Sequence, residues 1–97
     1  NVAYCASKAA LDSMTRSLGR ALAPFIRVVS VSPGWVLGEY AARMPPEMID
    51  AQSAATPLGR LATPDDVAAA VSAAVNDLPF TTGSMISVDG GRPLGTS

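Results

Sequence analysis

The residues with the clearest chemical potential stand at the start of the chain, in Tyr4-Cys5-Ala6-Ser7-Lys8. A spacing of four sets Tyr4 and Lys8 on one face of a helix, about 6 Å apart along its axis. A phenol ordinarily keeps its proton until about pH 10 and carries protons poorly near neutrality. An ammonium held one turn away favours the phenolate, and a tyrosine so placed can exchange a proton with an alcohol or carbonyl oxygen. The same spacing also occurs as an exposed pair with no chemistry. The surrounding elements therefore decide what the pair means.

From 2 to 23 the residues are good helix formers, with Pro24 closing the run. One stripe reads Tyr4, Lys8, Leu11, Thr15, Leu18 and Leu22, polar at first and then apolar. A second, Ala6, Ala10, Met14, Ser17 and Ala21, is mostly small; beyond the first turn both read as packing faces. Residues 26–32 form a short β-branched run between Pro24 and Pro33-Gly34, the pattern of a strand buried on both faces of a parallel sheet. A turn just past the carboxyl end of such a strand is where open α/β sheets bind ligands. Gly34 permits a backbone conformation or close ligand approach that other residues resist, although Pro33-Gly34 also reads as an ordinary strand-ending turn.

Residues 47–55 read as a short helix with Pro46 at its first turn and Glu47 near the positive end of its dipole. Trp35, Tyr40, Met44, Met48 and Ile49 either line an apolar pocket or anchor this region to the body. Thr63-Pro64-Asp65-Asp66 opens a further helix to about Asn76, with Thr63 as N-cap, and capping accounts for both acids. Val67, Val71, Ala74 and Val75 are its core-facing residues. Residues 85–89 alternate as a last strand ended by Gly90-Gly91, and Arg92 to Ser97 reads as a surface tail.

Taken in order, these blocks resemble the short-chain dehydrogenase/reductase family. They are Tyr4-Cys5-Ala6-Ser7-Lys8-Ala9-Ala10-Leu11, Ile26-Arg27-Val28, Ser32-Pro33-Gly34-Trp35-Val36, Pro57-Leu58-Gly59-Arg60, Thr63-Pro64-Asp65-Asp66-Val67-Ala68, and Thr82-Gly83 leading to Val88-Asp89-Gly90-Gly91. The resemblance implies an α/β fold: the C-terminal part of a doubly wound, Rossmann-like parallel sheet whose cofactor half is absent. Residues 1–97 would then be one segment of one domain, and the start at Asn1 directly before the helix fits a truncated piece. It implies NAD or NADP as cofactor, with Tyr4 and Lys8 catalytic and also holding the cofactor. Pro33, Gly34 and Val36 would seat the nicotinamide, and Trp35 and Tyr40 would meet a small carbonyl or alcohol substrate. The segment from Gly38 to Thr56 would be the substrate lid. Many members carry a threonine two residues after Val36, where this chain has Gly38, which removes one cofactor contact. The long first helix would pack in a four-helix bundle of a homotetramer or dimer. No glycine-rich phosphate loop occurs in the chain, so the choice between NAD and NADP is not written in it.

Composition bounds the alternatives. The 97 residues are 48% hydrophobic with net charge −1, a globular balance without the basic excess that nucleic acid requires. There is no histidine, so the usual zinc sites and Ser/His or Cys/His pairs are excluded within the chain. The single cysteine, Cys5, forms no internal disulfide and fits a reducing, cytoplasmic setting. No apolar run approaches the ~20 residues of a membrane span. The competing class is a catalytically incomplete fragment that folds against a partner as an interaction module.

Overall fold

The structure, a computed structural model, describes residues 2–38 and 43–95. Its elements run helix α1 (Val2–Leu22), strand β1 (Val29–Pro33), helix α2 (Pro46–Ala54), helix α3 (Pro64–Asn76), strand β2 (Ser84–Val88) and a closing 3₁₀ turn (Arg92–Leu94). The strands pair in parallel, Val29 opposite Ser84 through Pro33 opposite Val88. Parallel strands need a long crossover. Here it contains both α2 and α3.

Side chains alternate across β1, and each face meets a different helix. Val29 and Val31 line a groove of about 370 Å³ with Val71, Ala74 and Val75 of α3. On the opposite face, Ser32 meets Lys8 of α1. The order is helix, sheet, helix, with a small parallel sheet between.

The face that α1 turns to the sheet keeps Lys8 and Thr15 of the first expected stripe but not its leucines. Thr15 and Gly19 are buried, whereas Leu11, Leu18 and Leu22 stay exposed. Close approach explains this: a Cβ on Gly19 would lie 2.7 Å from the Gly83 nitrogen and 2.8 Å from its Cα. Only glycine lets the helix sit on the entry to β2. Farther along, the helix unwinds where Phe25 and Ile26 both donate to the Leu22 carbonyl.

Strand β1 begins three residues later than the apolar run predicts, and it is half-buried rather than fully buried. The preceding residues have other tasks. The Arg27 guanidinium donates to the carbonyls of Ala74 (3.0 Å), Val75 (3.3 Å), Leu78 (2.9 Å) and Thr81 (3.4 Å), closing the carboxyl end of α3. The Val28 amide donates to Thr82 Oγ1 at 3.1 Å, and its carbonyl accepts from the Gly83 amide at 2.7 Å.

Helix α3 matches its start signals: Thr63 Oγ1 accepts from the Asp66 amide, and Asp66 accepts from the Thr63 amide. Its valines differ from expectation. Val71 and Val75 face β1 but remain exposed, Val75 at 66%, because the groove beside them is open. Leu61, at 3% exposure, is the one buried apolar side chain among the described residues. The predicted tail is not free either, since Arg92 Nη1 donates to Gln52 Oε1 of α2 at 2.6 Å.

Candidate active site

The carboxyl end of β1 is held from two sides. The Gly34 amide donates to the Val88 carbonyl at 3.0 Å, which extends the ladder one residue past the strand. A Cβ on Gly34 would stand 2.9 Å from the Asp89 Cβ. Packing against β2's exit therefore by itself calls for glycine at this position. Past it, the chain pairs once more: Trp35 O accepts from the Ala62 amide (3.0 Å), and the Leu37 amide donates to Ala62 O (2.6 Å). Alternation along this bridge directs the Val36 amide to the side away from Ala62. The Val36 carbonyl accepts from the Gly38 amide at 2.9 Å.

Helix α1 brings its first turns to this strand end. Lys8, half-buried, donates from Nζ to Ser32 Oγ at 2.5 Å. Tyr4, one turn nearer the start of α1, is 65% exposed, and Cys5 beside it is also exposed. Ser7 Oγ is turned back onto the Ala3 carbonyl at 2.9 Å. An ammonium fixed at the carboxyl end of a parallel strand, with a phenol one turn away, can bind hydroxyl groups and pass a proton to an oxygen.

Of the residues singled out in the sequence, Lys8 and Pro33 meet at one strand end through Ser32, and Gly34 and Val36 continue from it. Trp35, 46% exposed, lines a crevice of about 10 Å³ with Thr56, Leu61 and Arg92, which is too small for a substrate. Tyr40 lies outside the described residues. Ser32 was visible only as part of a motif, although its place on the Lys8 face follows from strand alternation. Gly19 and Arg27 gave no functional signal, and both prove to hold the scaffold.

A second polar cluster lies at the start of α3. Arg60 donates to both Asp66 oxygens, at 2.6 and 3.1 Å, and to the Leu61 carbonyl at 3.1 Å. Its guanidinium first, and the Thr63 amide after it, hold the Asp66 carboxyl well below the ordinary carboxylate range. Asp66 raises Arg60 in return. Every strong partner here is internal, and among the described residues no group of three or more Cys, Asp or Glu converges as a metal site.

A family model described as enoyl-(acyl carrier protein) reductase matches residues 1–92, and the chain belongs to the short-chain dehydrogenase/reductase family. It is 39% identical over 89 residues to a 3alpha-hydroxysteroid dehydrogenase of Mediterraneibacter gnavus, covering 90% of this chain and 36% of that protein. Among solved structures, it resembles a small-chain dehydrogenase in complex with NADPH (TM-score 0.77, 34% identity), covering 90% of this chain and 41% of that one. It also resembles a 4-hydroxyisoleucine dehydrogenase mutant complexed with NADH and succinate (TM-score 0.86, 28% identity), covering 99% of this chain and 41% of that one. The chain thus spans between a third and a half of the length of each of these proteins.

Proposed function

We propose that the chain is the C-terminal portion of an NAD(P)-dependent oxidoreductase that interconverts a carbonyl and a secondary alcohol. The observation that carries this reading is the Lys8–Ser32 hydrogen bond, which fastens the Tyr4–Lys8 turn to the carboxyl end of β1. The order of the motifs, with the Tyr4 helix first and the glycines after β2 last, supports a C-terminal placement. Relatives described with NADPH and with NADH support either nicotinamide cofactor.

The residues present fit the nicotinamide end of such a cofactor. Lys8 supplies donors for ribose hydroxyls, and the Val36 amide, directed away from Ala62, is a donor for the carboxamide. When bound, the cofactor supplies or accepts the hydride. Tyr4 gives its proton to the substrate oxygen in reduction and takes it back in oxidation. Lys8 restrains the ribose through its ammonium donors. Pro33 and Gly34 fix the turn against which the ring lies. On the substrate side we assign Trp35, through the part of its indole left exposed, and Tyr40.

The outer face of α1 presents Leu11, Met14, Leu18 and Leu22 to solvent, as a helix would that meets a second subunit in a dimer or tetramer. Among the described residues, no helix is long and apolar enough to cross a membrane. We place the enzyme in the cytoplasm, where an exposed unpaired Cys5 stays reduced. The test is nicotinamide-linked turnover by the full-length protein, with NADH and NADPH against a panel of ketones and with NAD and NADP against secondary alcohols. Turnover with at least one pair is expected. Its absence across the whole panel overturns the reading.

A further inference from the structure

We propose that Ser32 is a positioning residue for Lys8: its hydroxyl accepts the ammonium and sets where the charge stands over the cofactor site. This rests on the oxidoreductase reading given above. A lysine side chain has four rotatable bonds, and a free ammonium at the mouth of a site would sample many positions. Here Nζ donates to Ser32 Oγ at 2.5 Å, a charge-assisted contact made by a half-buried lysine.

Both ends of that contact stand on fixed supports. Helix α1 is wedged onto the entry to β2 where Gly19 meets Gly83, and β1 is locked to the exit of β2 where Gly34 meets Asp89. From Gly19 to Lys8 is ~16 Å along the helix axis. The Lys8–Ser32 bond therefore closes the far end of a junction whose near end is close packing of Gly19 on Thr82 and Gly83. It is the polar tie at the end where chemistry would occur.

The strand itself offers a control. Ser30 and Ser32 lie two residues apart and project from the same face, toward α1. Ser32 Oγ receives Lys8, whereas Ser30 Oγ is buried with no hydrogen-bond partner among the described residues. Two hydroxyls thus share a strand and a face, and only one touches the ammonium. Val31 and Pro33, the neighbours of Ser32, lie on the other face and bring no hydroxyl.

The experiment uses the full-length protein and titration with NADH or NADPH followed by nicotinamide fluorescence, together with steady-state turnover. Turnover by the wild type and its loss in Tyr4→Phe test the underlying reading first and do not depend on Ser32. Ser32→Ala is then expected to weaken cofactor binding about tenfold, the effect of losing one hydrogen bond to a charged group. Ser32→Thr, which keeps the hydroxyl, should stay within about twofold of wild type, and Ser30→Ala should leave binding unchanged. In a Lys8→Met background, Ser32→Ala should change the affinity no further, since the two residues act as a unit. Wild-type binding in Ser32→Ala overturns the proposal. So does equal weakening in Ser32→Thr and Ser30→Ala, which would mark a packing role. If Ser32→Ala does not fold alone, the comparison of Ser32→Thr with wild type and with Lys8→Met decides. Affinity in Ser32→Thr as poor as in Lys8→Met overturns the proposal, and near-wild-type affinity upholds it.

Discussion

The two long helices begin in opposite ways. At the start of α3, Thr63, Asp66 and Arg60 use one another: the cap is closed, the carboxylate is paired with a guanidinium and an amide, and the cluster is complete within the chain. At the start of α1 no acidic residue faces the dipole, and the polar groups of the first turns are directed elsewhere. Lys8 reaches across to β1, and Tyr4 remains largely exposed. A carboxylate saturated by its own helix has little to offer a ligand, however suggestive two adjacent aspartates look in a sequence. The phenol and ammonium of α1 stand instead at a strand end, the one 65% exposed and the other reaching across to β1. The α3 cluster is accounted for within the chain, and it is the α1 pair that we propose as the site.

The contrast can be broken by substitution. The largest effect short of the tyrosine itself is expected from Lys8→Met, which should lower turnover roughly a hundredfold and weaken cofactor binding. Rates from full-length protein at saturating cofactor separate the two losses. Next comes Gly19→Ala, whose added Cβ meets the Gly83 backbone at 2.7 Å. A backbone clash cannot relax by side-chain rotation, so urea denaturation should show a loss of about 1–3 kcal/mol. Arg27→Met strips donors from the closing carbonyls of α3 and should cost about 1 kcal/mol with turnover retained. Thr63→Ala removes the α3 cap for a similar loss of about 1 kcal/mol and leaves turnover untouched.

The smallest effect is the most diagnostic of the α3 cluster. The folded-state value of Asp66 lies below its ordinary 3.8, so its contribution to stability is present above about pH 4 and fades as pH falls toward the depressed value. Asp66→Asn should flatten that acid limb of the stability profile and leave stability above it less dependent on salt. An unchanged acid limb would mean that the Arg60–Asp66 pair is idle in solution. Turnover that collapses in Asp66→Asn would mean that the two clusters are not separate.

Much of this was legible beforehand, for reasons that differ by element. The α3 cap was readable because capping is local: Thr63, Pro64 and Asp66 specify it within four residues. Both strands were found within one to three residues, since β-branched runs between breakers are also local. What the sequence hid is what depends on two distant segments meeting. The seats of Gly19 against Gly83 and of Gly34 against Asp89 join segments more than fifty residues apart. Arg27 sits inside an apolar run and seemed incidental, yet its partners lie about fifty residues further on. Leu11, Leu18 and Leu22 were assigned to packing by their spacing, and spacing cannot say whether the partner of an apolar face is the same sheet or another surface. That Tyr4 and Lys8 stand one turn apart on a helix was readable from their spacing. The hydroxyl that receives Lys8 became identifiable only when α1 and β1 were set side by side.

Tyr4→Phe in the full-length protein tests the central claim most directly, with turnover and cofactor affinity measured on the same preparation. Removing one hydroxyl from an exposed ring should leave the fold intact and cofactor binding near wild type. Turnover should fall by about 10²- to 10⁴-fold, the range for loss of a general acid–base group. Near-normal turnover in that variant would contradict the account, because the proton would then be carried by another residue.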